Sequence, residues 1–278
     1  MTRNPETSPA DVFPVHLPAS FNVVMRFLVI PVLVYVIWVL EIFLFGGVIH
    51  LFLTPNGPAL ILYTLVACIL MGLVLPIVLI RRAFISGAIT MFQYGFRSLI
   101  RTVFTTAFTC VVMYGFVLLF SSPGLNQRAF VQSFLLLVPT GVSAVMICWV
   151  VVGTHVQALV RHGGAVISIP AGIVMTGILF CIAMLIMVPV QRSPDLLTMY
   201  LGAGMLMSIF FFAVRDIYAT SIAVTGCMAF LFSTSIDPRV ISAILPWVYA
   251  AAIASVAVLV GIHRYLSLRF VTIQIPCT

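Results

Sequence analysis

Apolar residues fill this chain in runs of about 20, and nearly every charged residue falls in a short gap between two runs. The runs lie at about 26–53, 58–80, 102–121, 129–153, 165–189, 195–214, 217–235 and 241–262. A helix of about 20 residues rises about 30 Å, the thickness of a bilayer's hydrocarbon core. Backbone amides in lipid must be satisfied within their own segment, so each run predicts an α-helix. The expected fold is all-α, a polytopic membrane helix bundle of 7–8 transmembrane helices. Residues 83–100 mix apolar, small and polar positions and are expected to lie along the interface as an amphipathic helix.

The rest of the chain is short. Residues 1–22, rich in Pro, Ser and Thr, predict a disordered cytosolic tail. They lack the basic start, short apolar core and small-residue cleavage site of a signal peptide, so the first span is expected to serve as an uncleaved anchor. A bundle over 23–265 and a short tail over 266–278 complete the organisation.

Charge orients the bundle. The chain carries 13 basic residues, all Arg, and six acids, for a net charge of +7. With eight crossings and a cytosolic N-terminus, Arg3, Arg26, Arg81, Arg82, Arg97, Arg101, Arg161, Arg215, Arg264 and Arg269 fall inside. Arg128, Arg192 and Arg239 fall outside, a bias of ten to three in the positive-inside sense. Arg215–Asp216 alone separates two runs, a short turn for antiparallel helices. If 217–235 does not cross, the chain has seven spans and the bias becomes nine to four. The Arg residues are spread one or two per loop without interleaved aromatics, which argues against nucleic acid.

Few polar residues could carry chemistry. Glu41, near the middle of the first run, is a candidate proton or cation site or a protonated acid bonded to a neighbouring helix. His50, about 180° around the helix from it, reads as interfacial. Asp216 beside Arg215 is either an ion-handling pair or gate, or a capped turn. His155, His162 and His263 lack accompanying carboxylates, so neither metal nor haem is expected, and no other cofactor is implied. The six Cys (68, 110, 148, 181, 227 and 277) form no CxxC pair and read as packing residues. There is no HExxH, GxSxG, Walker A or paired-Asp motif, so no enzyme is expected.

Two patterns point to helix packing. Ala250, Ala254, Ala257 and Gly261 share one face of the last run, and Gly204 and Ser208 form a small-xxx-small pair. Such seams close a bundle or join two copies, and the sequence does not choose. The expected partners are the bilayer, other membrane proteins or a second copy. Pro31, Pro76, Pro139, Pro170, Pro189 and Pro246 are expected to kink or end helices.

Several short features, taken in order over roughly 25–265, resemble the Bax-inhibitor-like superfamily, and in particular a seven-transmembrane branch carried by cytomegaloviruses. Met25-Arg26-Phe27 is similar to that family's Arg-Phe entry, and Arg81-Arg82 to its basic pair after the second helix. Leu119-Phe120-Ser121-Ser122 is loosely similar to an apolar-to-hydroxyl helix end. Thr154-His155 with Gly163-Gly164 resembles its Gln-Thr-Lys…Gly-Gly stretch. Tyr200-Leu201-Gly202-Ala203, Ser208-Ile209-Phe210 and Asp216 look like its sixth helix ending in Asp. Ile236-Asp237-Pro238, Ile241-Ser242-Ala243 and Tyr249 resemble its Ile-Ser-Pro…Tyr segment. The chain departs from the pattern at 83–100, at the long apolar stretch 217–235, and after Tyr249, where Ala250 or Ala251 replaces the family's second Asp. The resemblance implies a non-enzymatic protein of a host endomembrane such as the endoplasmic reticulum or Golgi. It implies action on immune-ligand surface display, cell death or calcium homeostasis through contacts within the membrane. The alternative is a cation or proton channel or secondary transporter using Glu41 and Asp216.

Overall fold

The computed structural model describes residues 25–45, 56–85, 89–120, 127–187, 194–232 and 242–271. It is an all-α bundle. Its helices are α1 (25–44), α2 (Gly57–Ile85), α3 (Leu99–Phe120), α4 (Gln127–Leu159), α5 (Ala165–Met187), α6 (Pro194–Val214), α7 (Ile217–Phe232) and α8 (Leu245–Val271). All but α7 contain a stretch long and apolar enough to cross a bilayer, which makes the chain a multi-pass integral membrane protein.

The apolar pattern alone leaves the course of α7 open; side-chain contacts place it within the bundle. Thr105 bonds Asp216 at the start of α7, Gly226 meets Met113 midway, and Phe230 packs on Phe116 near the end. Helices α3 and α7 therefore run side by side in the same direction. At the start of α7, Tyr218 also meets His263 near the end of α8. At the other end Trp247 of α8 sits against Gly57 of α2, and Gln132 of α4 bonds Ser242. Helix α7 thus runs from one end of the bundle to the other, antiparallel to α8. Its 16 residues rise about 24 Å, and its surroundings are protein rather than lipid.

Helix α4 is the axis. In its most apolar stretch 94% of residues are buried, against 17% to 44% in the other spans. A helix apolar on every side, with Val, Ile, Met and Trp149 facing all directions, has no face to offer water and belongs inside. Helix α7 is the second buried element, built from small residues such as Ala219, Ala223, Gly226 and Ala229. With lipid outside, packing contacts and hydrogen bonds hold such helices together more than the hydrophobic effect does.

The polar core residues are distributed accordingly. Ser208 joins three helices: it accepts from Trp149 Nε1 at 3.0 Å and from Thr176 Oγ1 at 2.8 Å, and donates to the Gly204 carbonyl at 2.6 Å. Pro139 leaves helical groups of α4 without their usual bonds, and Ser143 Oγ bonds the Pro139 carbonyl at 2.7 Å. Tyr63 meets Thr140 at 3.1 Å, and Tyr35 donates to the Leu179 carbonyl at 2.6 Å.

Three expectations need correcting. Residues 83–100 do not form one amphipathic helix. Helix α2 continues to Ile85, a single turn spans Met91–Tyr94, and α3 begins at Leu99, with Tyr94 and Phe96 buried. Tertiary contacts described below hold this segment in a sharp turn. The tail expected from 266 starts later, because α8 runs to Val271. The Ala250–Gly261 stripe does not close the bundle: Ala250, Ala257 and Gly261 are exposed and Ala254 is half-buried. Helix α8 buries Val248, Ala251, Ala252, Ser255, Leu259 and Ile262 instead. The tail expected over 1–22, His50 and Cys277 lie outside the described residues, as does the side chain of His162.

Gly204 packs where a methyl group cannot fit. A Cβ there would stand 2.7 Å from the Gly177 carbonyl oxygen of α5, whereas one at Gly202 would meet nothing within 4 Å. Gly204→Ala is expected to lower stability in detergent by about 1–3 kcal/mol. Gly202→Ala leaves it unchanged or slightly raises it, as thermal unfolding of the two variants will show.

Candidate functional site

The Arg-rich end of the bundle holds the only charged residues that are fully buried among those described, Arg215 and Asp216. They form the corner between α6 and α7. Arg215 adopts φ +53°, the left-handed region, which costs a residue with a Cβ about 1–2 kcal/mol. That turn reverses the chain within two residues, which ordinary helical geometry cannot do.

The loop before α3 holds the corner in place. Thr90 and Gln93 cap each other around the turn Met91–Tyr94: the Thr90 amide donates to Gln93 Oε1 at 2.8 Å, and the Gln93 amide to Thr90 Oγ1 at 3.4 Å. Gly95 ends the turn at φ +88°, and its carbonyl accepts from the Ile217 amide at 3.3 Å. A Cβ at Gly95 would stand 3.2 Å from Ile217 and 3.4 Å from the Arg215 backbone, so glycine suits both the turn and the close approach.

The two segments exchange arginines. Arg97 donates from Nε to the Arg215 carbonyl at 2.9 Å and from Nη2 to the Val214 carbonyl at 3.1 Å, capping the end of α6. Arg215 reaches back, donating from Nη1 to the Gln93 carbonyl at 2.7 Å and from Nη2 to Gln157 Oε1 of α4. Its guanidinium also lies 4.5 Å from the Phe212 ring centroid. Burial, reinforced by the Arg97 charge, pushes the Arg215 guanidinium down to about 10, so it remains protonated at neutral pH.

Asp216 does not pair with Arg215. Its Oδ1 accepts the Ala219 amide at 3.0 Å, an N-cap for α7, and its Oδ2 accepts Thr105 Oγ1 at 3.0 Å. Next to it Tyr218 Oη lies 3.1 Å from His263 Nδ1, and His263 packs on Phe96. Both carboxylate oxygens are engaged, one at a helix N-terminus whose dipole favours negative charge.

Glu41 stands elsewhere. It lies in the last turn of α1 as described, rather than mid-helix, near Tyr63 and Cys68 and toward the end of the bundle remote from Asp216. Its Oε2 is buried and makes no hydrogen bond. The two candidate acids are therefore not parts of one site. Gly204 and Ser208 sit in the α5–α6 contact, and the outer stripe of α8 faces away from every candidate acid. Among the described residues, no three His, Cys, Asp or Glu side chains come together.

Arg97, Gln93, Gly95, Thr105 and Gln157 complete the corner without having been singled out by sequence. Arg97 had the look of a plain topological marker, but it caps α6. The Thr90…Gln93 spacing with Gly95 behind it is a legible capped turn; its partner 118 residues away is not. Comparison with family models, curated proteins and solved structures returns no match.

Arg215→Ala strands the Gln93 carbonyl and Gln157 and keeps the left-handed backbone. It is expected to cost about 2–3 kcal/mol. Arg215→Gly loses the same bonds but relieves the backbone, and should be about 1 kcal/mol more stable than the Ala variant when both are unfolded in mixed micelles.

Proposed function

We propose that this chain is a non-enzymatic, Bax-inhibitor-like multi-pass protein that modulates host-cell processes through contacts within the membrane. The processes implied are immune-ligand surface display, cell death or calcium homeostasis, at the endoplasmic reticulum, Golgi or another host endomembrane. The positive-inside bias puts the Arg-rich end, and with it the N-terminus, in the cytosol.

The observation that carries this reading is the state of Asp216. An acid that handles ions needs a free oxygen facing a path; this one is fully buried, with one oxygen on a backbone amide and the other on Thr105. A partner acid in the position that the resemblance suggests, just after Tyr249, would stand near the opposite end of α8 from His263 and Tyr218. The corner is built as a joint. What the bundle offers outward is apolar: Ile100, Phe104, Phe108 and Val111 on α3, and the small-residue face of α8. Small residues let a second membrane helix approach closely, which lipid tails alone do not require.

Glu41 keeps the cation or proton reading in view, because a buried carboxylate oxygen without a partner is expensive in a membrane. Proteoliposomes separate the two readings. Wild-type protein is expected to pass neither Ca²⁺ nor protons above the level of empty vesicles. Flux that collapses in Glu41→Gln or Asp216→Asn would replace the contact reading with the transport one.

The contact reading has its own readout. Ala257→Leu with Gly261→Leu is expected to abolish in-membrane crosslinking of the protein to its neighbours while leaving its thermal midpoint unchanged, since both residues are exposed and nothing lies within 4 Å of a Cβ at Gly261.

A further inference from the structure

A cavity of about 510 Å³ opens at the Arg-rich end between α1, α2 and α4, remote from the Glu41 end and outside the Arg215 corner. Its walls are apolar, with Phe27 and Pro31 from α1 and Leu79 and Ala83 from α2. Two polar groups break that surface: Arg82, exposed at the rim, and His155, which is 4% exposed and lines the interior.

The chemistry of the two groups is complementary. His155 Nδ1 lies 2.6 Å from the Val151 carbonyl. A carbonyl only accepts, so Nδ1 carries the proton, and Nε2 of the neutral ring is an acceptor. The ring is held in place by Phe27 at 5.6 Å and Tyr94 at 6.0 Å between centroids. Arg82 supplies charge-assisted donors suited to a phosphate. The ligand that satisfies both is anionic at one atom and carries a hydroxyl nearby, with an apolar body against the remaining walls. At this end of the spans the headgroups of the adjoining leaflet lie at the same level as the rim. The volume is too large for a bare ion and suits a headgroup with the first carbons of its chains.

We infer that this cavity binds an anionic glycerophospholipid, its phosphate on Arg82 and a headgroup hydroxyl donating to His155 Nε2. The inference rests on the geometry of this cavity and not on the family resemblance, and its test changes none of the residues altered in the flux and crosslinking experiments, so the failure of either is distinguishable.

Native mass spectrometry of the detergent-released protein tests it, with phosphatidylglycerol and chain-matched phosphatidylcholine as probes. Phosphatidylglycerol is expected to bind more tightly, and Arg82→Gln to weaken it about tenfold. Two changes that leave the Arg set intact should weaken it too: Ala83→Leu, which fills the cavity, and His155→Phe, which keeps the ring packing but removes Nε2. Arg81→Gln, an exposed neighbour outside the lining, should have no effect. Glycerol 3-phosphate should fail to displace the lipid. The inference is overturned if phosphatidylcholine binds equally well, or if Arg81→Gln weakens binding as much as Arg82→Gln, which would indicate general surface attraction. It is also overturned if Ala83→Leu and His155→Phe both leave affinity unchanged, or if glycerol 3-phosphate competes fully.

Discussion

Where α6 stops and α7 starts, the last carbonyls of one helix and the first amides of the next must be satisfied in a place closed to water. Neither helix can do this for itself, because the groups at helix ends have no partners within the helix. Arg97 takes the carbonyls of Val214 and Arg215, and Asp216 and Gly95 take the amides of Ala219 and Ile217. Much of the bundle's arrangement depends on that accounting. It ties the loop before α3 to the α6–α7 corner, draws α3 alongside α7 through Thr105, and engages α4 through Gln157. Taken alone, a two-residue reversal with a left-handed Arg is costly; here both side chains and both carbonyls of the dipeptide have partners.

The fold was legible in the sequence to the extent that lipid dictates it. Runs of about 20 apolar residues must be helices, and most of their limits followed from where charge interrupts them. The weakness lay where length and hydropathy stop discriminating. Helix α7 has 16 residues and runs the length of the bundle packed against α3, α4 and α6, a circumstance that no local pattern records. Residues 83–100 misled for a related reason. Their mixed polarity resembles an interfacial helix, but Arg97 and the carbonyls of Gln93 and Gly95 face a partner more than 100 residues away.

The candidate site was legible only as a location. Arg215–Asp216 stood out because the pair had no room in an ordinary connection, and the corner is indeed the most charged buried point described. What the sequence could not supply was the partnership: adjacent opposite charges suggest an ion pair, and the structure sends each to a different partner. Small-residue patterns had the same ambiguity. Gly204 lies so near another helix that a methyl group would not fit, whereas the similar pattern at Ala250–Gly261 looks outward. Spacing along one helix says which residues share a face and nothing about what stands opposite.

The exchange of arginines also has a direction in time. Gln93, Gly95, Arg97, Thr105 and Gln157 all precede Arg215 in the chain, and synthesis proceeds from the N-terminus. By the time the short, charge-tipped hairpin of α6 and α7 emerges, the groups that receive it have already been made. Helix α7 is thus a segment whose place in the bundle is prepared by earlier helices, α3, α4 and α6, against which it packs. The order of elements along the chain becomes part of how this bundle can be assembled at all.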